Sequence, residues 1–241
     1  MIDVAPPLLP PPQLEVPATL SRGRIVLDVL GVLVFRFACV AVMIWLALWA
    51  EARPAPTVPD FLISRVPYVQ WVDRLNYVIW VLAYIPMVAV LLFRDVRRFC
   101  RYMVTAGLLA VVRGLCIAAT GLGPVRGADI NAGMTHATRM DAFAQLALPL
   151  SGLFHHLRPL YLTKDLFFSG HTSTTFCLLL YVLRFPRLRA WMLVAHSVVM
   201  LTVVFAHLHY TIDIIGAYAI TFALYVVRES NLKQVLWGEP G

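Results

Sequence analysis

The stretch LNYVIWVLAYIPMVAVLLF, residues 75–93, carries no charged side chain and is bracketed by Arg74 and Arg94. A helix that crosses a bilayer needs about 20 predominantly apolar residues, and this run has that length with a cation at either end. Pro86 falls inside it, where it kinks a spanning helix without preventing insertion. Working outward, five further runs read as candidate spans, near 28–50, 102–122, 168–184, 190–208 and 211–228. The last three are shorter and carry polar residues. The expected architecture is all-α: a polytopic membrane protein with six transmembrane helices.

Composition points the same way. Hydrophobic types make up 60% of the 241 residues and charged types 14%, against roughly 45–50% and about 25% in ordinary globular chains. An average soluble domain, a disordered chain and a collagen-like chain are all excluded. Cys39, Cys100, Cys116 and Cys177 lie far apart and form no CxxC pair, so neither a disulfide framework nor a zinc site is expected. The first residues, MIDVAPPLLPPPQLEVPATL, are rich in proline and lack the features of a cleavable signal. The chain is therefore divided into a flexible tail at 1–23, a six-helix membrane catalytic domain at 24–230, and a short C-terminal tail at 231–241.

Of the 20 basic residues behind the net charge of +7, only Lys164 and Lys233 are lysine. The arginines sit between apolar runs and form no single basic face, so anionic lipid headgroups are expected as partners and nucleic acid is not. With six spans, Arg22, Arg24, Arg94, Arg97, Arg98, Arg101, Arg184, Arg187, Arg189, Arg228 and Lys233 fall on one side, mostly in short segments. The other side holds Arg53, Arg65, Arg74, Arg126, Arg139, Arg158 and Lys164, dispersed over long loops. Short basic loops stay cytoplasmic, which puts both termini inside. In the long loop at 123–167, MDAFAQLALPLSGLFHHL (residues 140–157) has the pattern of a short surface helix interrupted by Pro149.

Polar side chains inside a bilayer are costly and each asks for an explanation. Two clusters stand out: FFSGHTSTT at 167–175 and HLHYTIDIIGAY at 207–218. Six spans bring both to the same membrane face. His209 and Asp213 are spaced i, i+4 and share a helix face. A carboxylate there accepts the imidazole Nδ1–H and leaves Nε2 free as a nucleophile. Ser169 suits a helix cap and Gly170 a close approach, at a helix start whose free N–H groups favour phosphate. His171 then supplies a general acid. The bland reading of either motif alone is a capped helix or a satisfied buried histidine; together they make a phosphoryl-transfer site that calls for no metal and no cofactor. A zinc reading with His171, His207, His209 and Asp213 was weighed against it, but HxxxD without further ligands is poor metal evidence.

FFSGHT followed by HYTIDIIGAY resembles the sphingomyelin synthase branch of the type 2 phosphatidic acid phosphatase superfamily. In that branch an aspartate precedes the SGHT histidine by six residues, the position of Asp165, and the later motif reads HYTxDV, with Ile214 here in place of valine. His171, His209 and Asp213 occupy the triad positions. A fainter echo at 101–124 aligns Arg113 with the arginine of an earlier motif, whose leucine-proline ending is split here by Gly123; Thr163 and Lys164 replace a cysteine-glycine pair. The resemblance implies six spans with cytosolic termini. It also implies transfer of a phosphoalcohol, phosphocholine or phosphoethanolamine, from a glycerophospholipid donor to ceramide, releasing diacylglycerol through a phosphohistidine. Asp165, Ser169, Gly170, Arg113 and Tyr210 are the expected substrate and phosphate contacts.

The nearest rival is a lipid phosphate phosphatase, with water as acceptor; a non-catalytic transporter or scaffold is more distant. The lysine expected seven residues before Arg158 in such phosphatases is Ser151 here, and Phe205-Ala206 stand where serine-arginine would open the third phosphatase motif. Mid-span Arg113 has a bland reading as a bundle-interior ion pair with Asp28 or another buried acid, Arg36 as a local or snorkelling pair, and His196 as a hydrogen-bonded packing residue. Compact length and the lack of a retention signal fit a bacterial inner membrane with a periplasmic site, the alternative being a Golgi or endoplasmic reticulum membrane with a luminal one.

Overall fold

A computed structural model describes residues 22–147 and 162–229, and helix capping and hydropathy divide these described residues into seven α-helices. They are α1 (Arg22–Glu51), α2 (Gln70–Arg94), α3 (Val96–Ala119), α4 (His136–Ala147), α5 (Gly170–Val182), α6 (Pro186–Phe205) and α7 (Thr211–Glu229), with one short 3-10 turn at Ile63–Arg65. No strand occurs among the described residues. Five helices, α1, α2, α3, α6 and α7, are long and apolar enough to cross a membrane, and the protein is a multi-pass membrane protein. The expected tails fall almost wholly outside the described residues, as do Pro149, His155, His156 and Arg158.

The run at 168–184 departs from the expectation of six long spans. It folds as α5, with 13 residues, about 20 Å at 1.5 Å per residue and short of a hydrocarbon core of about 30 Å. The reason lies in its surroundings. Nine of its residues, including every one from Cys177 to Val182, are buried, and it packs against α2, α3, α6 and α7. A helix sheathed by others need not match the bilayer by its own length. Tyr102, Leu178, Tyr181 and Met192 form the centre of the core around it.

The segment carrying Arg94, Arg97, Arg98 and Arg101 is not a loop either. Asp95 alone separates α2 from α3 and caps the latter by accepting from Arg98 N at 3.0 Å. Its carboxylate also pairs with Arg184 at the start of the α5–α6 connection. The arginines thus decorate helix ends, and α3 begins six residues before the expected 102. α2 continues without a break through Pro86. The expected surface helix begins earlier than 140, at His136, and α4 ends at Ala147; the rest of that stretch lies outside the described residues.

α1 and α3 make the closest helix pair, because small residues let their backbones approach. A Cβ on Gly114 would stand 2.9 Å from Met43 Cα. Gly114→Ala should therefore force these helices apart at a cost of about 1–3 kcal/mol, read as a lower Tm of the detergent-solubilised protein. Gly121→Ala, with nothing within 4 Å of its added Cβ, should leave Tm unchanged.

Candidate active site

α6 ends at Phe205, and the chain reverses through His207, whose φ of 50° lets the backbone turn tightly before α7. His209 closes that turn and Asp213 sits in the first turn of α7, where an acidic residue is favoured by the helix dipole. The Asp213 carboxylate is wholly buried. Its Oδ2 accepts from Tyr210 N at 3.0 Å and lies 3.3 Å from His209 Nδ1, while Oδ1 accepts from Phe167 N at 3.1 Å. A carboxylate that accepts at Nδ1 puts the imidazole proton there and leaves Nε2 as the basic nitrogen.

Phe167 belongs to the segment before α5, so the same carboxylate joins the two polar clusters. The Asp213 carbonyl adds a second tie by accepting from Ser169 N at 3.1 Å. Ser169 then caps α5: its Oγ accepts from Thr172 N at 3.3 Å. The result brings His171, one residue into α5, to 6.5 Å from His209 between ring centroids. His171 stands edge-on to Trp80 of α2, at 5.8 Å. Its Nε2 is shielded from solvent and has no hydrogen-bond partner among the described residues.

Arg113 reaches the same place from the middle of α3. Its Nε donates to Phe168 O at 2.7 Å, and Nη2 to Asp165 O at 2.7 Å and Asp165 Oδ2 at 2.8 Å. The ion-pair partner is thus Asp165, not Asp28, which is exposed near the start of α1. Burial pushes the Asp165 carboxyl upward, but Arg113 and then His209 more than offset it and hold it below the usual carboxylate range. Gly170 makes room for this guanidinium: a Cβ there would meet Arg113 Cζ at 3.1 Å.

Two residues expected to touch substrate have partners within the protein. The Tyr210 hydroxyl donates to the carbonyls of Gly123 (3.2 Å) or Pro124 (3.3 Å) and accepts from Val58 N at 3.3 Å. Ser169 is fully buried as the α5 cap. His207, a candidate in the zinc reading, donates from Nε2 to the Val66 carbonyl at 3.0 Å. His136 begins α4. Arg36 bonds the Ala106 carbonyl of α3.

Sequence reasoning missed three charges, two of them buried, that brace this end of the bundle. Glu51, at the end of α1, accepts from Thr163 N, Thr163 Oγ1 (2.9 Å), Lys164 N and Asn131 Nδ2 (3.0 Å). Lys164 Nζ donates to Arg53 O at 2.8 Å and pairs with Asp129. Asp60 caps α7 from a distant loop, accepting from Thr211 N at 2.6 Å and Thr211 Oγ1 at 2.9 Å. The signal available was the scarcity of acids: with 13 in 241 residues, each deserved the scrutiny given to the histidines. Gly123, which interrupts the earlier motif, also gains a reason, since a Cβ there would lie 2.6 Å from Ala55 O.

The fold and site define a multi-pass helical membrane protein with a histidine–aspartate pair facing a second histidine at one end of its bundle. Residues 164–230 match the family model described as PAP2 superfamily C-terminal. The end of the chain is thus similar to the C-terminal part of that superfamily, and the alignments extend the likeness to sphingomyelin synthase-like proteins. It is 30% identical over 206 residues to phosphatidylcholine:ceramide cholinephosphotransferase 2 of Homo sapiens and 29% identical to the Macaca fascicularis protein of that name. Each alignment covers 74% of this chain and 53% of the relative, so the chain spans about half the length of the curated relatives it matches.

Removing Arg113 leaves Asp165 and two carbonyls without their donor. Arg113→Met should cost about 3 kcal/mol, the low end for a broken buried pair, because the Asp165 side chain keeps 29% exposure. The pair's contribution is complete above about pH 4, the ordinary carboxylate value, and is lost as pH falls through the lowered value of Asp165. Thermal melts across pH should therefore converge for wild type and Arg113→Met at the acid end.

Proposed function

We propose that this protein transfers a phosphoalcohol headgroup, phosphocholine or phosphoethanolamine, from a glycerophospholipid to ceramide. The products are diacylglycerol and sphingomyelin or a related sphingophospholipid. What carries the reading is the 6.5 Å separation of two imidazoles, one of them held by a buried carboxylate. That gap suits one phosphorus atom between a nucleophile and an acid. The phosphatidylcholine:ceramide cholinephosphotransferase activity for which the two relatives are named supports the choice of donor and acceptor.

In the first half-reaction His209 Nε2 attacks the donor phosphorus, and Asp213 holds the Nδ1 proton and offsets the positive charge that grows on the ring. The P–O bond to diacylglycerol breaks and His171 gives its proton to the departing alkoxide. In the second, the now neutral His171 takes the proton of the primary hydroxyl of ceramide, whose oxygen attacks the phosphohistidine and frees His209. Protons balance over the cycle. Arg113 beside Gly170, with the free N–H groups at the start of α5, provides positive potential for the phosphate oxygens.

In this reading α5 is the sixth crossing, completed by its neighbours, and both termini are cytoplasmic with the site on the other side. Asp165 acts by orienting Arg113, and the bilayer supplies donor and acceptor to a site that works without metal or cofactor.

The test is purified protein with labelled ceramide and a panel of phospholipid donors, products identified by mass spectrometry. His209→Ala should abolish transfer, while His171→Ala should slow both half-reactions by about 10²–10⁴-fold. Asp213→Asn should cost on the order of 10⁴-fold by losing the tautomer. Chelators should change nothing. Free phosphoalcohol without a ceramide product would make the protein a hydrolase, and turnover surviving in His209→Ala would remove that residue as nucleophile.

A further inference from the structure

One buried imidazole takes no part in the proposed chemistry. His196, in the middle of α6, is 7% exposed and both its ring nitrogens have partners. Nδ1 lies 2.8 Å from Thr175 Oγ1 on α5, and Nε2 lies 2.7 Å from the Tyr218 hydroxyl on α7. Thr175 Oγ1 also lies 2.8 Å from the His171 carbonyl and 3.3 Å from that of Thr172. Carbonyls only accept, so the single Thr175 hydroxyl proton is committed to them. Thr175 oxygen must then accept from His196, which puts the imidazole proton on Nδ1 and makes Nε2 the acceptor of the Tyr218 O–H. Every bond in the chain has one direction: Tyr218 to His196, His196 to Thr175, Thr175 to the backbone of His171.

We infer that Tyr218, His196 and Thr175 form a positioning relay that sets His171 against His209, through hydrogen bonds crossing α7, α6 and α5. The inference rests on the proposed function, in which His171 serves as acid and base. Its basis is geometric. Asp213 ties the beginning of α7 to the beginning of α5 at one level. Bonds at one level alone leave the tilt of the short α5 to contacts deeper along it, one of which is Trp80 Nε1 of α2 donating to Thr174 Oγ1 at 3.0 Å. Tyr218 lies five residues beyond Asp213 and Thr175 four beyond His171, so the relay ties α5 to α6 and α7 about one turn deeper. Ties at two levels fix separation and tilt together. Phe176 packs on both the His196 and Tyr218 rings, at 5.9 and 4.8 Å between centroids, and holds them in register. Within an apolar bundle a polar group that loses its partner cannot turn to water, so the chain should work as a unit or fail as one.

The decisive experiment is a double-mutant cycle. Thr175→Val and Tyr218→Phe each remove one hydroxyl while keeping shape. Each should lower kcat about 10- to 100-fold, the scale of a small misplacement of a reacting group, with KM unchanged. The double variant should be no slower than the slower single one, because either change breaks the same chain. His196→Gln, which keeps one donor and one acceptor, should recover most of the rate lost in His196→Leu. Multiplying losses in the double variant, or equal rates for Gln and Leu, would overturn the proposal, as would a change confined to KM. Should His196→Leu fail to fold, the Thr175 and Tyr218 variants carry the test alone.

Imidazole 15N spectra give a readout independent of turnover. Wild type should show His196 as the Nδ1–H tautomer, and Tyr218→Phe should shift the His171 ring signals through the two intermediaries. An unmoved His171 signal would refute the relay. If wild type transfers no headgroup at all, the functional reading fails, while these spectra still decide whether the chain positions His171.

Discussion

A carboxylate with no exposure, set at the mouth of a helix bundle, has to be surrounded by donors, because buried acceptors left without partners are costly. Asp213 meets that demand with Phe167 N, Tyr210 N and His209 Nδ1, drawn from two segments far apart in sequence. The requirement to satisfy one buried charge thus pulls the HLHY turn and the FFSG segment together. The same bonds fix the tautomer of His209 and the start of α5. Convergence of the two histidines is a consequence of solvating Asp213 with protein.

The loops at this end are irregular, and their backbone N–H and carbonyl groups need partners that helices would otherwise supply. Charged side chains take that part. Glu51 gathers the N–H groups of Thr163 and Lys164, Asp60 those of Leu62, Ile63 and Thr211, and the Arg53 guanidinium takes the carbonyl of Ala118. Tyr210 ties the 123–124 turn to the loop near Val58. These charged braces concentrate where the polar chemistry is proposed, while α1 and α2 present exposed Leu, Val and Trp side chains along their length. Rigid loops around a mobile lipid substrate are the physical condition for holding a phosphorus atom between two rings.

Long apolar runs made α1, α2, α3, α6 and α7 legible to within a few residues, since each must cover its own backbone in lipid. α5 was misjudged in length because burial among other helices relieves it of matching the bilayer. The His209–Asp213 pair was legible because helical spacing alone makes i and i+4 neighbours. The partner of Arg113 was not: Asp165 lies 52 residues away, and only the packing of α3 against the start of α5 brings it into reach, whereas Asp28 looked plausible merely as another acid near a span. Tyr210 and Ser169 were recognised as special, but their loop-bracing and capping bonds were not legible, because a hydroxyl that braces a loop and one that binds a ligand have the same signature in sequence. His196, Thr175 and Tyr218 belong to three helices and no local motif joins them.

The state of His171 bears on which acceptor such a site would favour. Its Nε2 is shielded and without a partner among the described residues, an arrangement that costs about 1–3 kcal/mol when nothing fills it. A general base open to solvent would have that bond met by water and would deliver water to a phosphohistidine. A shielded nitrogen at the edge of an apolar bundle gains most from a hydroxyl that arrives with its own hydrocarbon chain and closes the gap behind it. Trp80, edge-on to the same ring, extends that apolar wall toward α2. The physical difference between hydrolysis and lipid transfer at this pair of histidines then lies less in the catalytic groups than in how dry the second imidazole is kept.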